Sequence, residues 1–223
     1  MAYRTPFWDS ATGIGTLSQS TYSAIITLVT LYGIALSGLG VHLTYGMELS
    51  GAAAGAGFFL VILMTLLAGA RIHPLVTWLG YTGMALLLGA VSGPMVAQYS
   101  AASALKIFSL TGIITLALGL VGIIIPRNLR FMGSILMTGL TLLIIAQFGT
   151  LFFALIGFPV GTAMHVLDWV GVALFSAFLI YDFNRAYRIP FTVDNAFNAG
   201  VEIYLDFINL FIRLLSLFGE KKD

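Results

Sequence analysis

Four polar side chains follow one face of a very apolar segment near the end of the chain. The segment VEIYLDFINLFIRLLSLFG, residues 201–219, contains Glu202, Asp206, Asn209 and Arg213. Their spacing of four, three and four residues puts them on one side of an α-helix, while Ile, Leu and Phe fill the other sides. Carboxylate and amide oxygens on such a face suit a hard cation such as Ca²⁺.

A second acid, Asp182, lies near the end of the preceding apolar segment, in ALFSAFLIYDFNRA, residues 173–186. If residues 189–198 lie outside the bilayer, Asp182 and Asp206 are about 9 Å and about 12 Å from the same interface. A helical hairpin can then bring the two carboxyls together. Two neighbouring carboxyls do not both ionise easily, and burial favours the protonated form. Such a pair titrates nearer to physiological pH than a free aspartate does.

The composition indicates where these polar residues must lie. Of the 223 residues, 59% are hydrophobic and 9% are charged, whereas soluble domains have about 25% charged residues. So few charges cannot cover a water-soluble surface, and we therefore expect an integral membrane protein. A charge at the middle of a bilayer costs from about 2.5 to more than about 10 kcal/mol. The polar face must therefore contact protein or water rather than lipid.

Charge and residue usage argue against several other classes of protein. The net charge of +1 makes nucleic acid an unexpected partner. The chain has no cysteine, so disulfides and cysteine metal sites are excluded. A zinc-dependent intramembrane hydrolase needs convergent histidines, but His42, His73 and His165 form no HxxxH pair and fall on two predicted sides of the membrane. We therefore expect no enzyme and no cofactor.

Seven apolar segments are long enough to cross a bilayer, since a helical span needs about 20 mostly apolar residues. Prolines lie at or near their ends, and the short connections predict antiparallel neighbours. The sequence therefore predicts an all-α polytopic bundle, a single transmembrane domain over residues 1–223, in which the seventh helix is an inner one. The predicted spans are about 21–45, 51–70, 75–97, 104–125, 131–157, 162–185 and 199–218.

Basic residues are concentrated in the short loops of one predicted side, and such loops are usually cytoplasmic. The loops of the other side contain a single basic residue, Lys106. This predicts a cytoplasmic N-terminus, with the C-terminus on the opposite side of what we expect to be a bacterial inner membrane. The basic residues of the predicted cytoplasmic side are Arg4, Arg71, Arg127, Arg130, Arg185 and Arg188.

Two further charged residues each have two possible roles. Arg71, at the cytoplasmic end of the second predicted span, has about the depth needed to favour the ionised form of the aspartate pair. It could equally be a topology anchor. Asp168 either lines an outer vestibule or is an acid in the first turn of the sixth span, where the helix dipole favours it.

The two segments that contain the acids resemble the Bax inhibitor (TMBIM, UPF0005) family. IYDFNRA ends the sixth span, and IYLDFINLFIRLLSLFG places its aspartate 24 residues after Asp182. The sequence match is concentrated in residues 178–219, and the architecture agrees over essentially the whole chain. The resemblance implies a seven-helix bundle with a central seventh helix and a pH-sensitive calcium leak. The aspartate pair of the family falls on Asp182 and Asp206, and its latch arginine falls on Arg71.

In this interpretation calcium is the permeant ion, and the two aspartates bind it transiently. Glu202, Asn209 and Arg213 line the path. The sequence departs from the family pattern in two places, since residues 51–70 contain no acid and Arg213 adds a positive charge. Both departures make a cation path less negative. An alternative is a non-conducting regulator that binds another membrane protein, such as a membrane-anchored protease. We expect a monomer surrounded by lipid.

Overall fold

The computed structural model describes residues 16–48, 57, 60, 61, 63–65 and 73–222. Within this part of the chain the fold is all-helical, and residues 57, 60, 61 and 63–65 are helical as well. The named helices are α1 (Gln19–Thr44), α2 (Pro74–Val96), α3 (Ala101–Ile124), α4 (Arg130–Leu155), α5 (Gly161–Ala186) and α6 (Val193–Phe218). Among the described residues, α1 to α5 are long and apolar enough to cross a membrane. The predicted polytopic, all-α fold class is confirmed.

The helix ends agree with the predicted spans to within a few residues, except at the start of α6. This helix begins at Val193, six residues before the predicted span. Thr192 precedes it and accepts a hydrogen bond on Oγ1 from the amide of Asn195 at 3.2 Å, as an N-cap residue does. The predicted span at 51–70 falls mostly outside the described residues.

The chain divides into two compact units. The first takes in Met1–Gln98 and Pro190–Tyr204, and the second takes in Tyr99–Ile189 and Leu205–Asp223. Helix α6 therefore contributes its first half to one unit and its second half to the other. The expectation of one transmembrane domain stays a prediction.

In the first unit, α1 and α2 pack in parallel at very short range. The hydroxyl of Tyr81 donates to the carbonyl of Val29 at 2.8 Å, and that of Thr44 donates to the carbonyl of Ala90 at 2.7 Å. A Cβ at Gly89 would overlap the backbone of α1, so the missing side chain permits this approach.

The first half of α6 joins these helices through buried hydroxyl groups. Tyr204 and Ser37 share a hydrogen bond of 2.6 Å, and Ser37 also donates to the carbonyl of Ala85 at 2.9 Å. Thr30 donates to the carbonyl of Gly200 at 3.0 Å. Each polar group therefore has a partner away from water, as a membrane interior requires.

In the second unit, α3 and α5 run parallel, and the second half of α6 runs antiparallel to both. The ring of Phe108 on α3 contacts those of Phe207 and Phe211 on α6, with centroids 5.3 and 5.8 Å apart. After α6 the chain turns back, and the amide of Ser100 donates to the carbonyl of Glu220 at 2.9 Å. The C-terminal tail thus lies beside the beginning of α3.

Candidate functional site

Asp182 and Asp206 are both buried in the second unit, with 6% and 5% of their surface exposed. Asp182 lies in the last turns of α5, and Asp206 lies in the part of α6 that belongs to this unit. Each takes part in at least one hydrogen-bonded or electrostatic interaction. Their burial on antiparallel helices of one unit is what a carboxyl pair requires. The direct pairing of the two carboxyls stays a prediction, and Arg71 lies outside the described residues.

An ion pair at the other end of the same two helices was not predicted from the sequence. Nη1 of Arg213 donates to Oδ1 of Asp168 at 3.1 Å and to the carbonyl of Leu167 at 3.3 Å. Oγ of Ser216 donates to Oδ2 of Asp168 at 2.6 Å. Both carboxylate oxygens therefore have donors. Arg213 is buried, and its positive charge is offset by Asp168.

The position of Arg213 depends on a glycine and a phenylalanine of α5. A Cβ at Gly171 would overlap Nε, Cδ and Cζ of Arg213, so the arginine lies directly on the glycine backbone. The guanidinium carbon is 5.6 Å from the centre of the Phe175 ring, a geometry in which a cation is attracted to the ring face. The arginine is thus held by charge, by an aromatic face and by the space at Gly171.

Tyr99, just before α3, extends this group of residues toward the C-terminal tail. Burial raises the pKa of the Tyr99 hydroxyl, the negative charge of Asp168 raises it further, and a hydrogen bond with Ser216 lowers it. We refer to Tyr99, Asp168, Arg213 and Ser216 as the Asp168 cluster. It connects α5, α6 and the segment before α3 within the second unit.

A matched-depth argument could have found the ion pair from the sequence. Asp168 lies seven residues after Gly161, where α5 begins, and Arg213 lies five residues before Phe218, where α6 ends. Antiparallel helices bring such positions to similar depth. The same argument predicted the pairing of Asp182 with Asp206. Arg213 was instead placed only on the polar face of its own helix.

The polar face of α6 is longer than the sequence pattern first indicated. Because the helix begins at Val193, the face gains Asn198 at one end and includes Ser216 at the other. Asn209 donates to the carbonyl of Leu205 within its own helix at 2.8 Å, and Glu202 is half-buried in the first unit. A pore-lining role for Glu202, Asn209 and Arg213 stays a prediction.

Among the described residues, the three histidines belong to no group that could hold a metal ion. His42, His73 and His165 are all exposed, and His73 accepts a hydrogen bond from the amide of Leu75 at 3.2 Å at the start of α2. In the part of the chain that the structure describes, no group of three or more His, Asp or Glu side chains could hold a metal ion.

The fold and the site define a polytopic helical membrane protein whose last two helices bury acidic side chains. The sequence profile of the family described as "Inhibitor of apoptosis-promoting Bax1" matches residues 16–223. The match covers nearly the whole chain, and the protein belongs to the Bax inhibitor family.

Individual relatives are similar over shorter stretches. An uncharacterized membrane protein of Vibrio cholerae is 33% identical over 140 residues, which cover 60% of this chain and 59% of the relative. The uncharacterized protein YrjE of Lactococcus lactis is 29% identical over 62% of this chain and 60% of its own length. A BI1-like protein of Arabidopsis thaliana is 32% identical over 95 residues, 42% of this chain and 35% of the plant protein. The matches thus span at most about 60% of the length of these curated relatives.

Proposed function

We propose that this protein is a pH-sensitive calcium leak channel of the cell membrane, gated by the aspartates at positions 182 and 206. The observation that supports this most is the burial of both acids on antiparallel helices of one unit. Acids within a membrane are expensive to bury and usually mark an ion or proton path. An ion path would account for two buried acids on antiparallel helices of one unit better than a packing role would.

Calcium is the permeant ion that this chemistry suits. It prefers oxygen ligands, and two carboxylates with few further ligands bind it weakly enough to release it again. Glu202 and Asn209 would add oxygen atoms along the same helix face. No resident cofactor is part of this proposal, and calcium is cargo.

The pH response would come from the aspartate pair and the proposed latch, Arg71. An ionised pair attracts the arginine by charge-assisted hydrogen bonds of about 1.5–3 kcal/mol each. Protonation removes that attraction, so the leak should increase as pH falls. Protons also compete with calcium for the same oxygens, so flux should not increase without limit in acid. Arg71→Ala should increase the leak near neutral pH.

Purified protein in liposomes that contain a calcium-sensitive dye tests the proposal directly. We expect calcium entry that changes between about pH 6 and pH 8, and a flatter response for Asp182→Asn or Asp206→Asn, since neither amide titrates. Asp194→Asn makes the same chemical change on α6 in the other unit and should keep the response. Absence of calcium entry at every pH would contradict the proposal that the protein is a channel. A non-conducting regulator that binds a membrane protein would then be the better explanation.

The surroundings of the channel are part of the same proposal. We place the N-terminus on the cytoplasmic side of a bacterial inner membrane and the protein in the bilayer as a monomer. Labelling of single cysteines introduced at Arg127 and at Lys222 would test the orientation, since the two positions should react from opposite sides. Reaction of both from one side would contradict it.

A further inference from the structure

The buried side-chain amide of Asn184 is hydrogen-bonded to the turn between α3 and α4. Its Oδ1 accepts a hydrogen bond from the amide of Leu129 at 3.1 Å. Its Nδ2 lies 2.9 Å from the carbonyl oxygen of Gly122 and 3.1 Å from those of Ile125 and Arg127. Only 1% of Asn184 is exposed. One side chain therefore contacts backbone groups on both sides of the turn.

These contacts add to the few caps that the turn makes itself. α3 ends at Ile124, and the last carbonyls of a helix have no partner inside it. α4 begins at Arg130, whose amide donates to Oδ1 of Asn128 at 3.0 Å, and Leu129 makes no side-chain cap. Backbone groups away from water need hydrogen bonds. Asn184 supplies four of them from α5, a different helix, and Arg188 donates a further one to the carbonyl of Ile125.

The residues next to Asp182 are also held tightly by α3 and α4. Glycines at three positions leave the space into which these residues fit, and an added Cβ at each of the three would overlap its neighbour. The contacts are Ile180 with Gly122, Tyr181 with Gly133, and Phe183 with Gly119. Asp182 thus belongs to a segment that is fixed on both sides.

We propose that Asn184 is a positioning residue for Asp182. Two residues along a helix differ by about 200° in direction, so the two side chains point to nearly opposite sides of α5. Asn184 fixes one side of the last turns to the α3–α4 turn, and this holds the carboxyl of Asp182 at one depth and orientation on the other side. The inference rests on the proposed function only for the use of that carboxyl in calcium flux.

Infrared spectroscopy provides a test that does not depend on flux. The difference spectrum between the protein and its Asp182→Asn variant isolates the carboxyl band of Asp182. In an Asn184→Ala background the same difference should show a shifted or broadened band. The amide of Leu129 should exchange with solvent about tenfold faster, because its acceptor is gone. In liposomes, the half-saturating calcium concentration should change more than the maximal rate.

Two further variants make the result specific. Asn184→Gln keeps the amide and should restore part of the wild-type band, and it serves as the test if the alanine variant does not fold. In the first unit, the side-chain amide of Asn195 donates to the carbonyl of Pro190 at 2.7 Å. Asn195→Ala removes this bond and should change neither the Asp182 band nor the exchange of the Leu129 amide.

An unchanged Asp182 band together with fast exchange at Leu129 would overturn the inference. Asn184 would then stabilise the α3–α4 turn without positioning the carboxyl of Asp182. A shifted band in a protein that passes no calcium would support the positioning role and contradict the proposed function. The two failures are therefore distinguishable.

Discussion

The two ends of the α5–α6 pair in the second unit differ in the partners that they give to their acidic side chains. At one end Asp168 has a base, Arg213, as its partner and a hydroxyl on its other oxygen. At the other end the helices place two acids, Asp182 and Asp206, inside the same unit. An acid–base pair keeps its net charge over a wide pH range, whereas the charge of two acids depends on their protons. The first arrangement suits a permanent structural contact, and the second suits a switch.

Removal of the arginine should have the largest effect on stability. Arg213→Met leaves the half-buried Asp168 without its ion-pair partner, so the free energy of unfolding should fall by about 3 kcal/mol, the low end for a broken buried pair. Chemical unfolding in detergent measures it. The double variant Arg213→Met with Asp168→Leu should lose less than the single one, because it leaves no unpaired charge. A single variant as stable as the parent would show that the ion pair is not structural.

Loss of the Ser216 hydroxyl, which donates to Asp168, should have the second-largest effect on stability. Ser216→Ala removes the hydrogen bond to the charged Asp168, for which we expect a loss of about 1.5–3 kcal/mol. Ser109→Ala is the matched control, since that hydroxyl donates to the carbonyl of Leu105 within its own helix on an exposed part of α3. Equal unfolding energies for the two variants would contradict a special role for the serine at position 216.

Substitution by alanine should destabilise the protein at Gly171, the glycine on which Arg213 packs, whereas it should stabilise the protein at an ordinary helical glycine. Gly171→Ala pushes against Arg213 and should destabilise the protein by about 1–3 kcal/mol. Gly149→Ala, in α4, has no atom within 4 Å of the added Cβ, and its better helix propensity should stabilise by up to about 1 kcal/mol. If both alanines stabilise, the packing on Gly171 is looser than the structure indicates.

The aspartate pair should show the smallest change in stability. Asp206→Asn keeps the shape and removes a buried negative charge, so the unfolding free energy should stay within about 1 kcal/mol. The same variant should nonetheless flatten the pH response of calcium flux, whereas Ser216→Ala should leave that response in place. The distinction between a structural ion pair at Asp168 and a pH switch at Asp182 and Asp206 would be wrong if Asp206→Asn unfolds the protein. It would also be wrong if Ser216→Ala abolishes the pH response.

The sequence alone determined the class of the protein and most of its helices. Low charge and long apolar runs leave only membrane helices, because backbone groups in lipid must bond within their own segment. The polar face of α6 was visible because helical periodicity puts residues 202, 206, 209 and 213 on one side. The start of α6 was missed because Asp194, Asn195 and Asn198 lower the apolar content. The local signal was the capping threonine at position 192.

Only the tertiary structure decided which polar side chains meet. Periodicity gives the direction in which Arg213 points from its own helix. Its partner depends on the rotation and depth of α5, which side-chain packing sets. The space at Gly171 and the bonds of Asn184 to the α3–α4 turn have the same origin. Each joins residues at least about 40 positions apart in the chain, and a helix pattern contains no information about contacts over that distance.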